Sequence, residues 1–277
     1  MNSINCRGRL LSFDQPRIMG IVNITPDSFF SGSRATHLDA VIQRAGTLLE
    51  QGAHMLDMGG QSTRPGAVRV GAEEEADRVL PAIEAVAQKF PEAIISVDTF
   101  YATVALGAVE RGAAIVNDVS GGSLDAALLP TVAKLKVPYV LMHMQGNPQN
   151  MQQAPHYNNV VLEVFDFLNF RIAQLQQMGI TDVIVDPGFG FGKTNAHNFE
   201  LMAGLEYFQQ LGHPLLVGIS RKGMVHRTLG ITAEEALNGT TVLHTVSLLK
   251  EAQILRVHDV KEAVQAVRLV AALKNGL

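Results

Sequence analysis

In VIVDPGFGFGKT (residues 183–194) an apolar run ends on Asp186 and passes into three alternating glycines, then Lys193 and Thr194. Glycines ahead of Lys-Thr are the material of a phosphate-binding loop, whose backbone N–H groups and lysine surround phosphate oxygens. The spacing refuses that chemistry. Such a loop needs four residues between its first glycine and Gly-Lys-[Ser/Thr], and counting back from Gly192 puts Pro187 where that glycine must stand. The dinucleotide fingerprint fails as well, because the glycines fall at 188, 190 and 192 and not at G-x-G-x-x-G spacing. What is left is an acid where a strand runs into a flexible loop.

The same placement recurs along the chain. Apolar runs end in Asn23, Asp57, Asp98, Asn117 with Asp118, His143 and Asp186; a seventh leads into Ser220, Arg221 and Lys222, and an eighth holds Arg256 and His258. An Asp or Asn after a strand is commonly only a cap or turn residue, and Asp118 and His143 fit that reading. Asp182 and Asp259 lie at other ends or faces and are read as structural. Capping does not explain why Asp98 and Asp186 are offset by Lys222, Arg256 and His258. A mixed-sign cluster suits a polar ligand that carries both hydrogen-bond donors and anionic groups.

Other chemistries fit poorly. A metal hydrolase wants converging ligands at spacings such as H-x-H or H-E-x-x-H, and none of the 9 histidines is so placed. A Schiff-base enzyme needs a desolvated lysine; Lys222, with Arg221 beside it, looks more like an electrostatic donor. Paired acids could cleave glycosides, but the chain has no Trp and few other aromatics to form a sugar platform.

The elements that would bring these residues together are parallel βα units. Short β-rich apolar runs at 17–24, 54–58, 93–98, 113–119, 138–143, 182–187, 214–219 and 254–258 alternate with longer amphipathic segments. In HLDAVIQRAGTLLEQG, Val41, Ala45, Leu48 and Leu49 share one helical face, and Gly52 is placed to stop the helix. EEEADRVLPAIEAVAQKF opens with acids that suit a helix N-terminus, and Pro81 inside it predicts a kink. Eight units in 277 residues is about one per 35, the period of a (β/α)8 TIM barrel, whose active site lies at the C-terminal ends of its strands. The expectation is one α/β domain over residues 1–277 with its core at about 17–274; an open doubly wound sheet is the alternative.

Composition narrows the partners. Lys+Arg of 22 against Asp+Glu of 26 gives −4 with no long basic run, which argues against a nucleic-acid surface. No apolar run approaches the about 20 residues of a membrane span, and residues 1–16 hold no segment long enough for a signal peptide. The one cysteine, Cys6, rules out an internal disulfide and suits a reducing cytoplasm.

Eight fragments stand in order at successive strand ends: MGIVNITPDSFFSG, DMGGQSTRPG, SVDT, NDVSGG, MHMQGNP, DPGFGFGKT, GISRK and RVHDV. Together, from about residue 17 to 260, they closely resemble the dihydropteroate synthases of the pterin-binding family, the folate-pathway targets of sulfonamides. The resemblance implies condensation of a dihydropterin-methyl diphosphate with 4-aminobenzoate. It implies pterin binding by Asp98, Asn117, Asp186 and Lys222, an anion pocket of Arg256 and His258, and Mg2+ held by the diphosphate and Asn23. Thr63, Arg64 and Pro65 would build the aminobenzoate pocket with Phe191, Ser220 and Lys222 on its other side, under loops 24–33 and 59–68. It also implies a homodimer, for which the apolar stretch 241–255 could serve.

Two departures stand out. The family's first loop usually reads D-S-F-S-D-G-G where this chain has Asp27-Ser28-Phe29-Phe30-Ser31-Gly32-Ser33, and Gln61 replaces the more usual Glu. Neither touches a residue assigned to a subsite. Two rivals remain at this point: a methyltetrahydrofolate-binding barrel that serves a corrinoid protein, and a non-catalytic pterin-binding paralogue. The first has no reason to carry STRPG or the Arg256–His258 pair; intact loops and a complete anion pocket argue against the second.

Overall fold

The chain begins with an element that the sequence patterns did not announce. β1 (Ser3–Cys6) and β2 (Arg9–Ser12) pair antiparallel across a two-residue turn in which Arg7 and Gly8 both take positive φ, 55° and 89°. Such a turn matches the twist of the strands it joins. The hairpin buries Ile4, Cys6, Leu11 and Phe13 against Met19, Met55, Ile115, Val140, Ile184, Leu216 and Ile254, which occupy the early positions of other strands. It thus closes the N-terminal end of those strands, and the core begins before the expected residue 17.

In this computed structural model, residues 3–24, 34–61, 69–146, 151 and 155–276 are described. Eight parallel strands come after the hairpin: β3 (Arg17–Asn23), β4 (Met55–Gly59), β5 (Ile94–Asp98), β6 (Ile115–Asp118), β7 (Tyr139–Met142), β8 (Val183–Asp186), β9 (Leu216–Val217) and β10 (Ile254–Val257). They pair in the order β8-β7-β6-β5-β4-β3-β10-β9. A parallel bridge between Val185 and Leu215, with Val185 N–H donating to the Pro214 carbonyl at 2.9 Å, brings the two edges together. The sheet is a barrel, as expected, and the open doubly wound alternative falls away.

Helices fill the intervals: α1 (Arg34–Glu50), α2 (Ala72–Lys89), α3 (Ala102–Glu110), α4 (Leu128–Leu135), α5 (Val160–Gln177), α6 (Asn195–Ala203), α7 (Gly223–Leu229), α8 (Leu237–Leu249) and α9 (Val260–Asn275). A 3-10 helix (Leu205–Leu211) succeeds α6, and the interval between β9 and β10 holds two helices. Val41, Ala45 and Leu48 of α1 are fully buried, and Gly52 ends that run at φ 103°. Pro81 does not break α2, which continues to Lys89. None of the described helices is long and apolar enough to cross a membrane.

Side chains alternate along a strand, so parity decides what each residue meets. Ile18, Leu56, Ile95, Val97, Val116, Leu141, Val183 and Val185 turn outward and pack in the layer between strands and helices. The other parity faces the barrel axis. Its lower positions are the apolar side chains under the hairpin; its upper positions are Asp57, Ser96, Asp98, Asn117, Asp186 and Arg256, of which all but Arg256 are buried. Strand pairing sets Asp98 directly beside Asn117, and Asp57 beside Ser96.

Candidate functional site

Arg256 organises the upper barrel. Its Nε donates to Asp57 Oδ2 at 2.6 Å and its Nη2 to Asp98 Oδ2 at 2.7 Å. Asn117 Nδ2 donates to the same Asp57 oxygen at 2.9 Å. Burial works against the charge on Arg256, but Asp57 and Asp98 outweigh it and hold the guanidinium above its ordinary range. Burial pushes the Asp98 carboxyl up to about 7; Arg256 opposes this, and the nearby Asp57, Glu75 and Asp118 add to it. Burying ions is costly even when they are paired, so such a cluster is weak evidence for stability and better evidence for a site. Asp57 Oδ1 and Ser96 Oγ, both buried, have no hydrogen-bond partner among the described residues.

Across the barrel, Asp186 Oδ1 accepts from Gly188 N–H at 2.7 Å. Its Oδ2 lies toward Gly218, where a Cβ built on the glycine would stand 3.9 Å from that oxygen and from the Arg256 Cβ. Glycine there keeps the space over both charged groups open. Burial raises the Asp186 carboxyl above the usual range, with Lys222, the Gly188 amide, Arg256 and Lys193 pulling the other way. Lys222 Nζ donates to the Phe189 carbonyl and sits 4.5 Å over the Phe191 ring. Burial lowers the Lys222 amine to about 8, against the attraction of Asp186. Phe191 joins Phe100, Val119, Met142 and Met151 in a small apolar cluster, a surface suited to a flat ring beside polar groups.

The loop after β8 comes close to the end of β7 because it is built from glycine. A Cβ at Gly188 would stand 1.9 Å from the His143 carbonyl oxygen and one at Gly192 2.4 Å from that of Gln145; both residues take positive φ. No other residue fits either position. The Lys-Thr pair that looked like a phosphate loop has other work. Thr194 caps α6, accepting from His197 N–H at 3.1 Å, and Lys193 turns inward.

The remaining sequence-predicted residues fall at several places in the fold. Ser220 is buried, with its Oγ 3.0 Å from His258 Nδ1 and accepting the His258 N–H at 3.2 Å. Asn23 is exposed at the C-terminal end of β3. Thr63, Arg64 and Pro65, the loop residues 25–33 and hence Phe30, Ser31 and Ser33 lie outside the described residues. Gln61 is held at the base of its loop, donating to Glu75 at 2.8 Å and accepting from Val70 N–H at 3.2 Å. Arg221 faces away from Lys222 and binds both Asp259 oxygens at 2.8 Å. Asp118 points out of the barrel, where Tyr139 O–H and the amides of Ser120 and Gly122 donate to it. Asp182 lies at the opposite end, accepting from Asn5 N–H of the hairpin. Asp57 was legible only as one strand end among eight, although its acid stands at the same inward parity as Asp98; Gly218 gave no signal, and Lys193 drew notice only as the lysine of a phosphate loop that the spacing refuses.

A family profile described as "Pterin binding enzyme" matches residues 19–258. The chain is 44% identical over 268 residues to the dihydropteroate synthase of Escherichia coli K12, across 96% of this chain and 94% of that one. Among solved structures it is similar to the Xanthomonas albilineans dihydropteroate synthase with 4-aminobenzoic acid: TM-score 0.92, 43% identity, 99% of this chain and 98% of that one. It is similar also to the Yersinia pestis dihydropteroate synthase in a sulfonamide drug complex, with TM-score 0.93, 41% identity and 99% of each chain covered.

Proposed function

The chain belongs to the dihydropteroate synthases of the pterin-binding family, and from that premise we propose how its own residues divide the reaction. The reaction is a transfer in folate biosynthesis: (7,8-dihydropterin-6-yl)methyl diphosphate and 4-aminobenzoate give 7,8-dihydropteroate and pyrophosphate. One C–O bond to the diphosphate breaks, one C–N bond forms, and the amine nitrogen loses a proton. The observation that carries the assignment is the meeting of Asp98, Asp186, Asn117, Lys222 and Arg256 at one end of the barrel.

The pterin ring presents amide and amine N–H groups along one edge, which a buried carboxylate accepts in pairs. We assign that role to Asp186 and Asp98 with Asn117, and donation to the ring's acceptors to Lys222. As the leaving group departs, positive charge develops on the pterin methylene, and carboxylates already fixed nearby stabilise it without reorganising. An aromatic amine is nucleophilic when neutral, so no strong general base is needed. Arg256 and His258 face the leaving group's growing negative charge. Phe191, Ser220 and Lys222 are assigned to one side of the aminobenzoate pocket.

Mg2+ fits this arrangement through Asn23, a neutral oxygen donor exposed at the mouth. Among the described residues no three His, Cys, Asp or Glu side chains converge on a metal site, which suits an ion that leans on water and substrate phosphate. When bound, it neutralises charge on the diphosphate. Chelation should therefore abolish pyrophosphate release from the two substrates, and added Mg2+ should restore it. Pterin lacking the diphosphate should bind equally well with and without the ion. Tight Mg2+ binding by the free protein would contradict the assignment; failure to release pyrophosphate with Mg2+ present would contradict the function.

A homodimer belongs to the same proposal. α8 and α9 expose Val242 and Leu249, and Leu269 and Leu273, four large apolar side chains on neighbouring helices. Sedimentation velocity at micromolar concentration should show a dimer, and a monomer there would remove it. We place the protein in the cytoplasm on the strength of its single free thiol, Cys6; recovery from an oxidising compartment would count against that.

A further inference from the structure

Lys193 is only 2% exposed, and its ammonium meets three acceptors. Nζ lies 2.9 Å from His143 Nδ1, 2.9 Å from the Gly188 carbonyl oxygen and 3.1 Å from that of Phe191. A charged amine has three N–H donors, and here each has a partner. The two carbonyls belong to the glycine loop whose other groups face the site. Gly188 N–H donates to Asp186 Oδ1, the Phe189 carbonyl holds Lys222, and the Phe191 ring lies under that lysine. His143 is fixed in turn, its ring edge-on to Phe167 at 4.9 Å, while Tyr157 O–H ties the loop at the Gly192 carbonyl.

We propose that Lys193 is a positioning residue for the pterin-binding acid: its buried ammonium pins the glycine loop from below and keeps Asp186 ionised from the side away from the ligand. The inference rests on the assignment of Asp186 to the pterin site. Its electrostatic half has a definite sign. A cation near a carboxylate favours the ionised form, so removing it raises the carboxyl's pKa and confines ligand binding to higher pH. Burial lowers the Lys193 amine to about 7, with Asp186 opposing and Lys222 adding to the fall, so the lysine carries its charge below neutral pH. Burial drives His143 down to about 2, so its ring is neutral there and can accept at Nδ1. The other charges around Asp186 are Lys222 and Arg256, with Asp98 beside Arg256. All three remain when Lys193 is replaced.

The test is the pH dependence of affinity for a pterin lacking the diphosphate, read by pterin fluorescence in the wild type and in Lys193→Met, which keeps the length and apolar stem. The wild type should bind with an acid limb. In Lys193→Met that limb should move up by about half a pH unit, weakening binding about threefold below its midpoint. A purely structural role would lower affinity at every pH without moving the limb, and that result overturns the inference. An independent reading needs no variant. Nitrogen NMR of His143 at pH 6 should show Nδ1 bare and Nε2 protonated, as the acceptor of a charged Lys193 requires; a protonated Nδ1 would mean a neutral lysine and would also overturn it. A wild type that binds no pterin would instead remove the functional assignment beneath it.

Discussion

Arg256→Ala is expected to lower kcat/KM by about two to three orders of magnitude, a loss of roughly 3–4 kcal/mol of transition-state stabilisation. The leaving diphosphate gains negative charge as the C–O bond breaks, so a guanidinium contact strengthens from ground state to transition state, and only such a difference accelerates the chemical step. The structure adds a second consequence. In the free protein Arg256 is bonded to Asp57 and Asp98, so the alanine variant leaves two buried carboxylates without their counter-charge. Breaking a buried pair from one side costs about 3–5 kcal/mol, so the melting temperature should fall as well. Asp98, already pushed up to about 7, rises further when the cation goes and takes up a proton at neutral pH. Affinity for a pterin lacking the diphosphate should therefore drop at pH 7 and recover toward the wild-type value at alkaline pH, while turnover stays low at both. His258→Ala should go the same way but less far, because an imidazole offers one hydrogen bond where the guanidinium offers a charged fork. Turnover retained by both variants while ring binding collapses at all pH would place the anion contacts elsewhere.

That second consequence marks the line between what the sequence could reveal and what it could not. Asp98, Asn117 and Asp186 were legible because a parallel strand delivers its last inward side chain to one end of the barrel, and strand ends can be read from local pattern. Arg256 was legible as a strand-end cation, but its partner Asp57 lies 199 residues earlier. Nothing local to either residue announces that they meet. Asn117 and Asp118 differ only in parity: one faces the site and the other Tyr139, and a register slip of one residue would exchange them. The hairpin escaped because SINC and RLLS are only four residues each, and RLLS does not even alternate in burial. Lys193 escaped for the same reason as Asp57, since the histidine that receives it is fifty residues away and belongs to another strand end.

Asp186→Asn should cripple pterin binding with little change in volume or fold. The side chain has two jobs at once. Oδ1 accepts the Gly188 N–H at 2.7 Å, and Oδ2 lies toward the open space at Gly218. Asparagine can do only one of them. If its oxygen keeps Gly188, its N–H₂ faces the ring's own donors; if it turns over, the N–H₂ opposes the Gly188 amide. The Gly188 N–H, which needs an acceptor, favours the first, so the loop should hold and the melting temperature should change little. Losing a charge-assisted pair while leaving a donor unmatched costs roughly 2–4 kcal/mol, about thirtyfold to a thousandfold in affinity. A second effect runs in the same direction. Lys222 sits at about 8 with Asp186 holding it up, so without that carboxylate it falls further and loses charge at neutral pH, weakening its donation to the ring's acceptors. The deficit should therefore narrow as pH is lowered and Lys222 regains its proton, a trend opposite to that of a variant limited by a titrating carboxylate. The chain has no tryptophan, so pterin fluorescence can be followed against a weak background. Wild-type affinity in this variant would take Asp186 out of the pterin site, and with it the reason for an acid at the junction of that strand and its glycine loop.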